Sequence, residues 1–220
     1  MLASSAARRE SAVTQDPPES EEGVRRPETY AEYLEQERTS EIRHEFKNGQ
    51  SVAMAGGTRQ HARLAGKVIG ALIAQLKGRC EVFTSDGRVY VQALNEGFYP
   101  DASVVCGSEE VDPVDPDAIV NPIVLVEVLS PGTENEDRGS KFESYKHLPS
   151  LKEYVLVSQD EPRIEVFRRN ADASWQSTVA GASESAKLAS IKCELWVDEV
   201  YARGVVAPGK PPGPRANRRG

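Results

Sequence analysis

Glu127 is the one carboxylate within residues 123–129, a run of isoleucine, valine and leucine closed by Ser130 and Pro131. An ionised side chain in a buried aliphatic strand is strongly unfavourable unless a cation pairs with it or a metal binds it. Upstream, Pro100-Asp101 opens a second apolar run at residues 102–106, which puts Asp101 at a strand start. The pair Pro116-Asp117 is an internal control, because it sits among turn residues with no apolar run after it. Downstream, Asp137, Lys141 and Tyr145 recur every four residues, which on a helix places them along one face.

Two strand carboxylates and an ammonium suit magnesium-dependent phosphodiester hydrolysis. Mg2+, or Mn2+ in its place, favours carboxylate oxygens and water in octahedral geometry. It activates a water and meets the charge that develops on phosphorus. On this reading Asp101 and Glu127 hold the ion, the Val128 carbonyl adds a ligand, and Lys141 assists. Each assignment has a plainer rival. Asp101 could cap its strand, Glu127 could pair with Arg88 or Lys141, and Lys141 could be a solvated partner of Asp137. Asp137 is either a partner of Lys141 or a first-turn acid. Tyr145 hydrogen-bonds substrate or Glu127, or packs its ring against the sheet. His61 touches the scissile phosphate or caps its helix.

These residues need a scaffold of strands with helices between them. Thr29 caps a short helix at residues 30–34. Asn48-Gly49 between two alternating runs predicts a two-residue hairpin. Leu64, Val68, Leu72 and Leu76 form one helical stripe that Gly78 stops. Strands follow at residues 80–84, 88–93, 102–106 and 123–129, with residues 107–121 as a surface loop rich in Asp and Pro. A helix over residues 137–147 precedes a strand meander at 153–158, 163–168 and 174–179, and a last helix covers 197–202. The pattern predicts an α/β (α+β) domain on one central sheet.

At 220 residues the chain suits one domain, residues 28–203, with tails. Residues 1–27 read as a disordered polar tail and 204–220 as a disordered basic, Pro-rich one. The net charge of −7 announces no overall basic field for nucleic acid. Local patches must then serve, and Arg59, Arg63 and Lys67 on the Leu64 helix are candidates for phosphate contact. Cys80, Cys106 and Cys193 form no Cys-x-x-Cys pair and read as reduced thiols of a cytoplasmic protein. No apolar run is long enough to span a membrane, and no secretory signal opens the chain.

The set resembles the PD-(D/E)xK nuclease superfamily, and more closely the Uma-two family of putative restriction endonucleases. The resemblance rests on Pro100-Asp101, Glu127-Val128-Leu129-Ser130-Pro131, Asp137…Lys141…Tyr145 and Glu153-Tyr154-Val155-Leu156-Val157. It implies a restriction-endonuclease-like mixed central sheet flanked by helices, acting on DNA with Mg2+. It adds Glu45 as a further metal ligand from an early element. Leu129 departs from the superfamily, which has lysine two residues after the glutamate; Lys141 stands in as the displaced lysine. Cutting both strands calls for a homodimer with twofold symmetry. Two other classes remain open: a catalytically silent nuclease-fold module that binds nucleic acid or protein, and a phosphohydrolase acting on small phosphodiesters.

Overall fold

The computed structural model describes residues 28–54 and 56–203, so the two expected tails lie outside the described residues. In α1 (Tyr30–Glu37), Thr29 accepts the Glu32 N–H while the Glu32 carboxylate accepts the Thr29 N–H, a reciprocal cap. β1 (His44–Lys47) and β2 (Gln50–Ala53) form the expected hairpin. Its turn takes positive φ at Asn48 (51°) and Gly49 (72°), as the twist of a two-residue hairpin demands. α2 (Arg59–Leu76) buries Leu64, Val68, Leu72 and Leu76. Lys77 itself turns left-handed (φ 50°) one residue before Gly78 and ends the helix.

β3 (Cys80–Thr84), β4 (Val89–Val91), β5 (Glu96–Phe98), β6 (Ala102–Cys106) and β7 (Val124–Val128) follow. Then come α3 (Glu134–Arg138), α4 (Ser140–Tyr145), β8 (Glu153–Val157), β9 (Ile164–Arg169) and β10 (Trp175–Ala180). β11 (Ser185–Leu188), β12 (Cys193–Trp196) and α5 (Val197–Tyr201) complete the described elements. The main sheet has six strands in the order β10-β9-β8-β7-β6-β3, with β7–β8 its parallel pair. A four-stranded sheet β2-β1-β5-β4 and a β11-β12 ribbon accompany it, so the single-sheet expectation was too simple. This is the mixed α+β class, a central mixed sheet with helices packed on it, that the sequence predicts.

Alternation along β7 sorts its side chains between two cores. Val124, Val126 and Val128 pack with the α2 stripe. Leu125 and Leu129 pack on the other face with Phe142, Tyr145 and Tyr154. Glu127 lies between those two leucines in the alternation and so faces α4. Tyr30, Tyr33, Phe46 and Tyr90 make a third cluster beneath the smaller sheet.

Three further expectations are corrected. The helix expected at 137–147 is broken at Gly139 into α3 and α4. A Cβ on Gly139 would sit 2.8 Å from the Asn135 carbonyl oxygen, a backbone atom that cannot swing away. Gly139→Ala should therefore cost about 1–3 kcal/mol in urea denaturation, and an unchanged midpoint would show that the break relaxes freely. Residues 107–121 are not all surface: Asp115 is 2% exposed and pairs with Arg88, and Val89 bridges to Ile119. Finally, Cys80 and Cys106 are bonded to each other across the β3–β6 register. That removes the argument for a cytoplasmic protein drawn from unpaired cysteines; Cys193 is free and buried. Among the described residues no helix is long and apolar enough to cross a membrane.

Candidate active site

Three carboxylates from three elements meet around one lysine, and a fourth, Asp101, lies beside them just before β6. The β6–β7 register pairs Ala102 with Val126, and one step further along sets Asp101 opposite Glu127. Alternation on β1 buries Phe46 and sends Glu45 to the opposite face, towards α4. Asp137 comes from α3 and Lys141 from α4. The Lys141 Nζ lies 2.8 Å from Glu45 Oε1, 3.4 Å from Glu127 Oε1 and 3.4 Å from Asp137 Oδ1. Its side chain is only 8% exposed. The helical face expected for Asp137, Lys141 and Tyr145 thus survives the break at Gly139. The Tyr145 ring is buried, and its hydroxyl donates to Glu127 Oε1 at 3.0 Å.

His61 is drawn into the same site through the start of α2. Thr58 caps that helix, accepting the His61 N–H at 3.1 Å. The Thr58 hydroxyl donates to the Gln159 side chain, whose amide donates to the Leu129 carbonyl at the end of β7. The tie holds His61 Nε2 3.1 Å from Asp101 Oδ2. The same Asp101 oxygen accepts the Val128 N–H at 2.7 Å. Glu45 accepts the Tyr99 N–H at 3.4 Å in addition to Lys141.

The electrostatics follow from burial. Burial pushes the Glu127 carboxyl well above the usual carboxylate range; Lys141 opposes the shift, while Asp137, Asp101 and Glu45 reinforce it. Asp137 is raised for the same first reason, partly offset by Lys141. Burial disfavours the Lys141 ammonium, but the surrounding carboxylates outweigh it and hold its pKa above the ordinary lysine value. The hydrogen bond to Asp101 raises His61, and the main chain of Val128 contributes to the same shift. With every group ionised, four carboxylates face two cations, an excess of two negative charges.

That excess and the hard oxygen donors fit a divalent cation of the Mg2+ or Mn2+ type. The donors are not yet closed into a shell: among the described residues no three His, Cys, Asp or Glu side chains already form a metal-binding group. The reason is visible in the contacts, because Asp101 is turned onto His61 and the Val128 N–H, and Lys141 fills the space by Glu45 and Glu127.

Other sequence-level candidates go elsewhere. Arg88 forms a two-point ion pair with Asp115, with both N–O distances 2.6 Å, and not with Glu127. It also donates to the Tyr99 hydroxyl, which donates to Glu37, so the chain leading into Pro100-Asp101 is anchored from below. Glu37 in turn bonds the His44 ring. Arg63 donates to the carbonyls of Tyr201 and Ala202, which takes it out of the basic stripe. Lys47 was overlooked. Its two-residue spacing from Glu45 on a strand was the signal, since it places both on one face.

Comparison with known proteins places this geometry in context. A family model described as "Putative restriction endonuclease", Uma2, matches residues 30–199. Two Synechocystis sp. proteins (strain ATCC 27184 / PCC 6803 / Kazusa) are similar over most of their length. Uncharacterized protein slr1290 is 36% identical over 174 residues, covering 77% of this chain and 89% of that protein. Uncharacterized protein sll1609 is 32% identical over 151 residues, 68% of this chain and 85% of that protein. Among solved structures, a putative nuclease of DUF820 from Anabaena variabilis ATCC 29413 matches with TM-score 0.66 at 17% identity, covering 80% of this chain and 98% of that one. At that identity the likeness concerns the fold.

Proposed function

The chain belongs to the Uma2 family, described as "putative restriction endonuclease", and from that membership we propose that it is a metal-dependent endonuclease hydrolysing phosphodiester bonds in DNA. The observation that carries the reading is the buried ring of Glu45, Glu127 and Asp137 around Lys141, with Asp101 and His61 beside it. A purely structural site gains little from four carboxylates with two cations, since uncompensated buried charge is costly. A site that must take up a divalent ion and then a phosphate needs that imbalance.

Asp101, Glu127 and Glu45, with the Val128 carbonyl, would hold the ion, which supplies Lewis acidity and an activated water when bound. The chain's own residues divide the remaining work. Tyr145 fixes the Glu127 carboxylate by donating to it. Lys141 carries the positive charge that meets the developing phosphorane charge, and Asp137 holds that ammonium from the end of α3. His61 keeps Asp101 in place through its Nε2 and would donate to a phosphate oxygen once substrate binds. Two copies related by a twofold axis would cut both strands of a duplex.

The test is plasmid cleavage with Mg2+ or Mn2+ by wild type, Asp101→Asn and Lys141→Met, with EDTA as control. Metal-dependent nicking by the wild type is expected, falling by about 100-fold or more in either variant. Equal cleavage by all three would point to a contaminant or another site. The rival reading, a silent nuclease-fold binding module, is favoured by Leu129 at the superfamily's lysine position and by the unconverged donors. It is the correct one if the wild type binds duplex DNA but leaves it intact with either metal.

A further inference from the structure

Lys47 is the second lysine facing this site, and nothing in the hydrolytic scheme above uses it. It closes β1 two residues after Glu45, so their Cα atoms stand about 7 Å apart on one face of the strand. That separation is comparable to the spacing of consecutive phosphates along one nucleic-acid strand. The Lys47 Nζ reaches 3.0 Å to Glu136 and hydrogen-bonds the Ser140 hydroxyl. Glu136 and Ser140 each immediately precede Asp137 and Lys141, so two ladders of contacts run side by side across the Gly139 break.

The two lysines differ in how firmly they are held. Lys141 is enclosed by carboxylates that are themselves 2–14% exposed. Lys47 is 15% exposed, but its partner Glu136 is 46% exposed. A half-solvated ion pair of that kind is weak and exchanges readily for a better anion. The stem of Lys47 is thus fixed while its ammonium faces a partner that a phosphate can displace. On these grounds we propose that Lys47 is a substrate-binding residue that grips the phosphate next to the scissile one, with Glu136 as its resting partner. This assignment rests on the nuclease reading and names the part of the substrate that Lys47 takes.

Binding of a short fluorescent DNA duplex, measured by anisotropy in EDTA over a range of KCl, tests it. Lys47→Met is expected to make the slope of log Kd against log salt shallower by about 0.9, one phosphate contact. In metal-dependent cleavage its loss should appear mainly as an increase in KM, and Lys47→Arg should restore both. Glu136→Gln, which removes the competing carboxylate, is expected to tighten duplex binding severalfold. A purely structural pair would give the reverse, since losing either partner would then weaken binding. A wild-type slope in Lys47→Met, or weaker binding in Glu136→Gln, overturns the assignment of Lys47 and leaves the nuclease reading standing. A wild type that neither binds nor cuts duplex DNA overturns both.

Discussion

Lys141→Met should bind Mn2+ more tightly than the wild type while losing cleavage. The ammonium now sits against Glu45, Glu127 and Asp137, within the group that would receive the ion. A divalent cation must therefore drive the lysine off at least part of that set. Methionine keeps much of the stem's length and removes both the charge and the competition. Affinity by isothermal titration should rise by about tenfold or more, which is ~1.4 kcal/mol or more. The metal-free variant should pay for this in stability, because buried carboxylates are left without their counter-ion. Removing one partner of a buried ionic set costs about 3–5 kcal/mol. Mn2+ should recover that loss in a thermal melt. The penalty should also shrink at lower pH, where the carboxyls take up protons instead. Weaker Mn2+ binding by the variant would mean that Lys141 does not compete with the ion, and that the ion sits elsewhere.

The outline of this site was legible in the sequence because each part announced itself locally. Glu127 interrupts an aliphatic run, Asp101 follows a proline at a strand start, and Asp137, Lys141 and Tyr145 share a helical period. The hairpin and the α2 stripe were readable for the same reason, since turn chemistry and a four-residue spacing need no tertiary context. What escaped depends on contacts between distant segments. Cys80 and Cys106 become neighbours only when β3 pairs with β6. Arg88 finds Asp115 inside a loop whose composition reads as solvent-exposed. β5, with three residues and a central glycine, carries too little pattern to be read as a strand, yet it joins β1 to β4 and so places Glu45. The break at Gly139 was hidden because glycine within a helical period is ambiguous, and the close approach of the Asn135 carbonyl decides it. That closing of Asp101 onto His61 was equally invisible, since it depends on a tie from Thr58 through Gln159 to Leu129.

Glu127→Gln is expected to separate stability from activity, with a sign fixed by its raised pKa. Burial favours the protonated carboxyl in the folded chain. Such a group contributes its full stability below the unfolded value, about 4.3 for glutamate, and loses it as pH rises through the higher folded value. The metal-free wild type should therefore weaken from mildly acid to alkaline pH, and Asp137 shifts in the same direction. Glutamine is neutral at every pH and can still accept from Tyr145, whose hydroxyl donates to the Glu127 Oε1 position. In urea denaturation without metal, the variant should match the wild type near pH 4 and exceed it at pH 8. Metal-dependent cleavage should fall by ~100-fold or more, because an amide oxygen is a poorer ligand than a carboxylate. Mn2+ should then stabilise the wild type increasingly as pH rises, since the ion needs the ionised form and releases its proton, and should do so much less in the variant. A Glu127→Gln protein less stable than the wild type at pH 8 would mean that Glu127 is held as the ionised partner of Lys141. Its burial would then serve the Lys141 ion pair, and the raised Glu127 pKa from which these signs follow would be refuted.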